Sequence, residues 1–264
     1  VDSDDRIAIS GATESSNFPL LNAFQDTQSG ALDIFLSLFE ADGQSLLFST
    51  YLGSPGIDHG RRIDFDSQGN LLLAGITASG ELATEGAYQE EHAGGSADAF
   101  LAKFKTNGTL VYFTYLGGSA TEWANDLAVD GDDNVVITGF TASDDFPAMN
   151  AYQDTRNGSI DTFITKFTPD GESLVFSTYL GGSSEDYGNA ITIDSQDRII
   201  ITGHTDSADF PTTIPNSITE SYYFNAVLIV LSQDGSLLVS MIFGGDHHDL
   251  GIGIAWHSMD SYIV

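Results

Sequence analysis

The chain alternates short apolar runs with polar, glycine-rich segments, and this pattern recurs every 64 residues. The clearest copies read VDSDDRIAISGAT, FDSQGNLLLAGIT, VDGDDNVVITGFT and IDSQDRIIITGHT, and they begin at Val1, Phe65, Val129 and Ile193. An internal repeat determines the architecture of a chain before any single residue is interpreted. Residues shared by every copy are therefore expected to form the scaffold, and function is expected where the copies differ.

The second unit shows the predicted elements most clearly. Its apolar runs predict four strands, over Gly60–Asp66, Asn70–Gly75, Asp98–Phe104 and Leu110–Leu116. The second run is apolar from Leu71 onward, which is typical of a strand buried on both faces. An Asp-Gly or Asn-Gly pair separates the last two strands of each unit, and such pairs favour hairpins because they adopt positive φ.

No segment has a sustained helical period, so the predicted fold class is all-β. Four short strands per 64-residue unit are typical of a β-propeller blade, because radially packed sheets bury each other's faces. The units are predicted at about 1–57, 58–121, 122–185 and 186–248, with a further unit beginning at 249–264. We expect a single domain that is part of a larger propeller of about six to eight blades. A ring of about four or five blades and a parallel β-solenoid are the alternatives.

The core predicted between neighbouring sheets consists of strand residues at equivalent positions of the units. Its aliphatic members are Ile7, Ile9, Leu71, Leu73, Val135, Ile137, Ile199 and Ile201. Its aromatic members are Phe35, Phe100, Phe163, Tyr51, Tyr115 and Tyr179. The three tyrosines keep the repeat spacing, so we expect them to be structural.

Composition restricts the choice of partner. The 264 residues include 38 acidic and 8 basic side chains, a formal net charge of −30. A field of this sign repels nucleic acid and anionic membranes, whereas cations, basic partners and neutral sugars are compatible with it. Cysteine is absent, so thiol catalysis, thiolate metal sites and disulfides are excluded. No apolar run reaches the roughly 18 residues of a membrane-spanning helix. Because the sequence does not begin with Met, we expect it to be a segment of a longer polypeptide or assembly.

The third unit contains GFTASDDFPAMNAYQDT over Gly139–Thr155, DTFITKF over Asp161–Phe167 and LVFSTYLGGS over Leu174–Ser183. These runs resemble the bacterial β-propeller repeat family called SBBP repeats. The resemblance extends along essentially the whole chain, although the second unit lacks the Phe-Pro pair and the fourth departs further at IPNSITESYYF and MIFGGDHHD. It implies a propeller in a secreted or cell-surface protein, often as a module of a larger one, and it supplies no catalytic residues to transfer.

Acidic turns are the first candidate site. Asp130, Asp132 and Asp133 occupy one turn, and Asp2 and Asp4 occupy the equivalent turn of the first unit. Oxygen ligands on alternate residues of a tight loop suit Ca²⁺, the one cofactor that the sequence suggests. The distal bidentate Glu of an EF-hand loop is missing, and Asp also favours turns by itself, so a purely structural role is the alternative.

A histidine pair without counterpart in the other units is the second metal candidate. His247, His248 and Asp249 stand where the other units read SPGID, GSATE and GSSED. Imidazoles beside a carboxylate bind Zn²⁺ or another divalent metal. Neighbouring side chains on an extended chain point in opposite directions, however, so a solvated corner is the alternative.

One set of acids recurs before the first strand of each unit, at Asp58, Glu122 and Asp186. We interpret them as structural carboxylates that accept backbone N–H bonds, and a ring of acids binding a cation or sugar in the central channel is the alternative.

Aromatic residues where the copies differ are candidates for binding a partner. They are Trp123, Tyr187, Tyr222 and Tyr223. Sugars stack on such rings, although core packing is their commoner role. The only basic pair, Arg61-Arg62, is expected to form salt bridges with nearby acids.

The sequence contains no G-x-S-x-G elbow, phosphate-binding loop or H-E-x-x-H motif, so no enzymatic activity is predicted. The leading hypothesis is a scaffold or adhesin, secreted or on a prokaryotic cell surface, that binds protein or glycan partners. Its specificity is expected from the long polar excursions at about 11–31, 75–97, 139–160 and 203–225, which differ most between units. The alternatives are a carbohydrate-binding or carbohydrate-active propeller using the channel mouth, and a calcium-stabilised repeat array.

Overall fold

The computed structural model describes residues 1–215 and 223–256. Within these ranges the chain forms strands and no helix, and therefore no helix able to cross a membrane. Sheet 1 contains β1 (Ile7–Thr13), β2 (Asp33–Phe39) and β3 (Leu46–Leu52). Sheet 2 contains β4 (Asp58–Phe65), β5 (Leu71–Thr77), β6 (Asp98–Phe104) and β7 (Leu110–Leu116). Sheet 3 contains β8 (Glu122–Val129), β9 (Val135–Thr141), β10 (Asp161–Phe167) and β11 (Leu174–Leu180). Sheet 4 contains β12 (Asp186–Ile193), β13 (Ile199–Thr205), β14 (Asn225–Leu231) and β15 (Leu237–Phe243).

The strands of sheet 2 lie close to their predicted positions. β6 and β7 have the predicted bounds, and β5 extends two residues further than predicted, to Thr77. β4 begins two residues early, at Asp58. The backbone N–H of Asp58 donates to Leu32 O of the preceding sheet at 2.9 Å, and this contact starts the strand before its apolar residues begin.

The sheets are the successive blades of a β-propeller. Each is antiparallel, with its strands side by side in chain order. Each packs face to face on the next, through β1 on β4, β5 on β8 and β9 on β12. In the described part of the chain no extensive contact joins sheet 1 to sheet 4, so these sheets do not close into a ring. The larger ring stays a prediction.

Three apolar layers lie between the four sheets. Most of the predicted core is confirmed, since Leu71, Phe100, Val135 and Phe163 are completely buried, and the other predicted residues of sheets 2, 3 and 4 are at most 1% exposed. The prediction was wrong at Ile9, which is 44% exposed, and Ile7 and Phe35 are only partly buried. Strand alternation explains the error. Ala8 packs towards sheet 2, so its neighbours on β1 point to the other face of sheet 1, which no described sheet covers.

The long excursions lie along the outermost strands and cover their edges. In sheet 1 the backbones of Leu21 and Ser49 exchange two hydrogen bonds, of 3.1 and 2.7 Å. In sheet 3 Met149 and Ser177 form the same pair, at 2.9 and 2.8 Å. A covered edge cannot pair with another chain, so the excursions have a structural role in addition to any role in binding.

The first strand of sheets 2, 3 and 4, termed here the inner strand, contains a β-bulge at the same place in each sheet. Its unpaired residue is Arg61, Asn125 or Asn189. The bulge brings the inner strand against a glycine of the second strand: a Cβ on Gly139 would lie 1.8 Å from Trp123 O, and one on Gly75 would lie 2.0 Å from His59 O. The recurrent glycine of the repeat is therefore required by the close approach of two backbones.

We predict that Gly139→Ala lowers the free energy of unfolding by more than about 2 kcal/mol, because the new methyl group meets backbone that cannot rotate away. The matched control is Gly11→Ala in sheet 1, which has no inner strand. There the added Cβ meets only the ring of Phe35, at 2.8 Å. A loss below about 1 kcal/mol is expected for the control. Urea unfolding measures both variants, and equal losses would contradict the explanation.

Candidate functional site

The recurrent carboxylates at the start of the inner strands are buried and internally bonded. Asp58, Glu122 and Asp186 are 0% exposed. Each accepts a backbone N–H from the preceding turn, donated by Ser54 (3.1 Å), Gly118 (2.9 Å) and Gly182 (2.8 Å). Each also accepts a hydroxyl of the second strand, from Thr77, Thr141 and Thr205. These are the contacts of structural carboxylates, and they leave no open ring of acids around a channel.

A second buried carboxylate begins the second strand of sheet 1 and the third strand of sheets 2 and 3, at Asp33, Asp98 and Asp161, and its place in sheet 4 is taken by Asn225. A Cβ added to Gly181 would lie 2.5 Å from Asp161 Cγ and 2.7 Å from Asp186 Oδ2, so a glycine fits between the two carboxylates. Burial, together with the nearby charge of Asp161, raises the pKa of Asp186 to about 7. Burial likewise raises the pKa of Asp58 to about 6.

The recurrent tyrosines fasten the excursions to the last strand of sheets 1, 2 and 3. Tyr51, Tyr115 and Tyr179 are fully buried. Their hydroxyl groups donate to backbone carbonyls at the start of each excursion, those of Ser15 (2.5 Å), Ser79 (3.0 Å) and Ser143 (2.9 Å). A buried hydroxyl needs such a partner, and the contact fixes where each excursion leaves the sheet.

The acidic turns use their carboxylates within the protein. Asp130 Oδ1 accepts the backbone N–H groups of Asp132 (3.0 Å) and Asn134 (2.8 Å), and its Oδ2 lies 2.7 Å from Lys166 Nζ. Burial acts to raise the pKa of Asp130, but the hydrogen bonds from Lys166 and Asn134 outweigh it and hold this pKa below its ordinary value. Asp133 has a φ of 64° and caps the backbone N–H of Ser67 in the preceding sheet at 2.8 Å.

The equivalent turn of the first unit is built in the same way. Asp2 Oδ1 accepts the N–H groups of Asp4 (3.0 Å) and Arg6 (2.8 Å), and its Oδ2 pairs with the Arg6 guanidinium at 2.5 Å. Residues 1–215 and 223–256 contain no group of three or more His, Cys, Asp or Glu that is able to hold a metal ion. Calcium binding in these turns stays a prediction, which a rise in melting temperature with Ca²⁺, reversed by chelator, would support.

The histidine pair packs around one tyrosine. The ring of His247 stacks on Tyr223 at 5.2 Å between centroids, and that of His248 meets the same ring edge-on at 5.0 Å. His248 Nδ1 accepts the backbone N–H of Phe224 at 3.1 Å, and Asp249 accepts that of Gly245 at 2.7 Å. Both imidazoles are engaged with aromatic or backbone groups, and a metal at this corner stays a prediction.

Two of the candidate aromatic residues belong to one continuous row of rings, termed here the aromatic row. Trp123 stacks on its cross-strand partner Phe140 (5.7 Å), which contacts Tyr187 of the next sheet (5.1 Å). Tyr187 in turn stacks on its partner His204 (4.7 Å), which meets Phe224 (4.8 Å). All five side chains are partly buried. The row joins sheets 3 and 4 and reaches the histidine corner, while Tyr222 lies outside the described residues.

A polar cavity of about 250 Å³ lies beside the aromatic row, termed here the inner cavity. Its walls include the bulged residues Arg61, Asn125 and Asn189, together with Arg62 and Asp126. The expected salt bridge forms at Arg62, whose Nε lies 3.0 Å from Asp126 Oδ1. Arg61 instead places its guanidinium over the Trp123 ring, 4.6 Å from the centroid. The same residue therefore contributes to the cavity and to the aromatic row.

Several members of this site were missed in the sequence. Phe140 and His204 occupy the variable position of the ITGFT and ITGHT motifs, where sheet 2 has Ile76. The signal that could have identified these two residues was a difference between copies at one position of a repeated motif. Asn125 and Asn189 gave no signal, because only the register of the inner strands shows that they are bulged.

The family comparison agrees with this architecture. Residues 175–211 match the family model of SBBP, described as a beta-propeller repeat. The resemblance deduced from the sequence is thereby confirmed for this segment, and the chain contains a β-propeller repeat of the SBBP type.

Similarity to individual proteins adds little about function. The chain is 28% identical over 131 residues to "Uncharacterized WD repeat-containing protein L264" of Acanthamoeba polyphaga mimivirus, over 40% of this chain and 9% of that protein. The chain thus spans less than a tenth of the length of this curated relative. A solved structure of a protein of unknown function from Bacteroides caccae is 9% identical over 89% of this chain and 86% of its own, with a TM-score of 0.33. That similarity is too low to inform the function.

The buried carboxylates predict an unusual pH dependence of stability. The pKa values of Asp58 (about 6) and of Asp98 and Asp186 (about 7) are raised by burial above the ordinary value. Their protonated forms favour the folded state, so their contribution is complete below about pH 4 and is lost as the pH rises towards 7. We expect the melting temperature to fall between pH 4.5 and 7.5. In Asp186→Asn the loss of unfolding free energy over this pH range should be smaller by more than about 1 kcal/mol.

The control is Asp132→Asn, which removes the same charge from an exposed position of a turn and should keep the slope. Calorimetric melting curves at several pH values compare the three proteins. Identical slopes for Asp186→Asn and the parent protein would refute the assignment of this titration.

Proposed function

We propose that the chain is a non-enzymatic glycan-binding module of a β-propeller protein, and that the aromatic row is its binding surface. The observation that supports this most directly is where the variable residues lie. Equivalent inner-strand positions carry His59, Trp123 and Tyr187, whereas the buried carboxylates and tyrosines of the scaffold are repeated. Aromatic rings bind the apolar faces of sugars, and polar groups beside them select the sugar by hydrogen bonds.

Polar partners for sugar hydroxyls stand next to the rings. The Tyr187 hydroxyl donates to Glu185 Oε2 at 3.0 Å. Asn189 Nδ2 lies 2.9 Å from His204 Nδ1, so this imidazole nitrogen acts as the acceptor. Burial lowers the pKa of His204, which keeps the ring neutral at neutral pH. The net charge of −30 also favours a sugar over nucleic acid or an anionic membrane as the partner.

We further propose that the module acts outside a prokaryotic cell, as part of a secreted or cell-surface protein. The SBBP-type repeat, the absence of cysteine and the strongly acidic composition support this location. The non-enzymatic role is supported by the carboxylates that recur in the units, because Asp58, Glu122 and Asp186 are buried and bonded within the scaffold and are closed to a substrate.

A second candidate function is a scaffold for protein partners, with the outer excursions as the contact surface. Phe24 and Tyr152 occupy equivalent positions of two excursions and are 49% and 50% exposed. Leu21 and Met149 are a second equivalent pair, at 41% and 37%. Exposed aromatic and aliphatic side chains of this kind contribute strongly to protein interfaces. This surface is separate in sequence and in the fold from the aromatic row, so the two functions can be tested independently.

We predict that Tyr187→Leu abolishes binding of the chain to an array of neutral and acidic oligosaccharides, because leucine keeps apolar volume but loses the ring face. Tyr152→Ala is the matched control, since it removes an exposed aromatic from an excursion, and it should leave glycan binding unchanged. Melting temperatures of both variants check that they are folded. Failure of the parent chain to bind any glycan on the array, or loss of binding only in Tyr152→Ala, would refute the proposal.

A further inference from the structure

The inner cavity contains a cation that no carboxylate of the described residues neutralises. Six of the 8 basic residues have a carboxylate partner: Arg6, Arg62, Lys103, Arg156, Lys166 and Arg198. Of the other two, Lys105 is exposed on a turn. Arg61 has no carboxylate within 4.0 Å in the part of the chain that the structure describes. Arg61 is exposed as well, so a reason to single it out must come from its position in the fold.

The position of Arg61 supplies one. As the bulged residue of β4, it is directed away from the ladder of its own sheet, which is a common use of bulges near functional sites. The Trp123 ring supports its guanidinium from the next sheet at 4.6 Å. Such a contact holds an arginine in place without neutralising its charge, so its fork of donors stays available to an external carboxylate.

The other bulged residues provide complementary acceptors. Asn125 Nδ2 donates to Gly188 O at 2.9 Å, and Asn189 Nδ2 donates to Gly251 O at 2.7 Å. The first contact joins β8 to β12 of the next sheet, and the second joins β12 to the segment that follows sheet 4; both fix the orientation of the amides. Neither Oδ1 has a hydrogen bond within residues 1–215 and 223–256. Two oriented amide oxygens therefore line the cavity, ready to accept hydrogen bonds from hydroxyl groups.

The size and charge of the inner cavity define the ligand further. Its volume of about 250 Å³ equals roughly eight water molecules at about 30 Å³ each, which suits one sugar residue. Arg61 and Arg62 outnumber Asp126, so the wall is positive although the protein is negative overall. A wider cavity of about 430 Å³ between the first two excursions is lined by Asp26 and Glu81 and by no cation. Of these two cavities, the inner cavity is the one that suits an acidic sugar.

We propose that the inner cavity binds the carboxylate of a uronic acid residue. Arg61 pairs with this carboxylate, and the amide oxygens of Asn125 and Asn189 accept hydrogen bonds from hydroxyl groups of the sugar. This inference rests on the proposed glycan-binding function and specifies its ligand class. The overall negative charge opposes every anion, so recognition depends on the local guanidinium. Arg61 is thus the residue that determines specificity, and the aromatic row supplies contact to the rest of the glycan.

The test compares D-galacturonate with D-galactose, which differ only in a carboxylate or a hydroxymethyl group at C6. We expect the folded chain to bind galacturonate at least about tenfold more tightly by calorimetry or saturation-transfer NMR. Arg61→Gln should weaken galacturonate binding until the two affinities lie within about twofold of each other, and Arg61→Lys should retain only part of the preference because lysine lacks the planar fork. Lys105→Gln, which removes the other unpaired cation, should change nothing.

The outcomes separate this inference from the function on which it rests. Equal binding of both sugars, lost in Tyr187→Leu, would overturn the uronate site and leave the glycan-binding function intact. Galacturonate binding that needs Arg61 but not Tyr187 would support the carboxylate site and overturn the role of the aromatic row. A preference for galacturonate that survives Arg61→Gln, or no binding of either sugar by the parent chain, would overturn the uronate site.

Discussion

The close approach of two backbones at the inner-strand bulge is the constraint on which the rest of the structure depends. Trp123 O occupies the space that a side chain on Gly139 would need, and Tyr187 O does the same at Gly203. Because the inner strand is held this tightly, its bulged residue cannot stay in the ladder and is turned towards the neighbouring sheet. In sheets 3 and 4 that residue is an asparagine, which donates to Gly188 of the next inner strand in sheet 3 and to Gly251 after the last strand in sheet 4. The same distortion therefore packs the sheets together and creates the inner cavity.

The repeat assigns stability and specificity to different residues. Positions that recur, such as Asp186 and Tyr179, are buried and have internal hydrogen-bond partners, so their contribution is to the scaffold. Positions that differ, such as Trp123 and His204, are partly buried and lie in the aromatic row.

Sequence reasoning succeeded where the cause was local and failed where it depended on neighbouring sheets. Apolar runs and the Asn107-Gly108 turn predicted the bounds of β6 and β7, because strand and hairpin formation depends on adjacent residues. The spacing of the repeat predicted the blades for the same reason. Ile9 was wrongly placed in the core because burial depends on what covers a face. The role of Arg61 could not be predicted either, because its contact with Trp123 joins residues from two sheets. The bulge that places Arg61 there also has no signature in the sequence of a single strand.

The central claim is that the variable residues of the inner strands bind the ligand and the repeated residues hold them in place. Hydrogen exchange measured by mass spectrometry, with and without a galacturonic acid oligosaccharide, tests it most directly. The account predicts added protection at residues 59–62, 123–126 and 187–190, with the outer excursions unchanged. Protection confined to the excursions at about 11–31 and 139–160, or none anywhere in the chain, would contradict it.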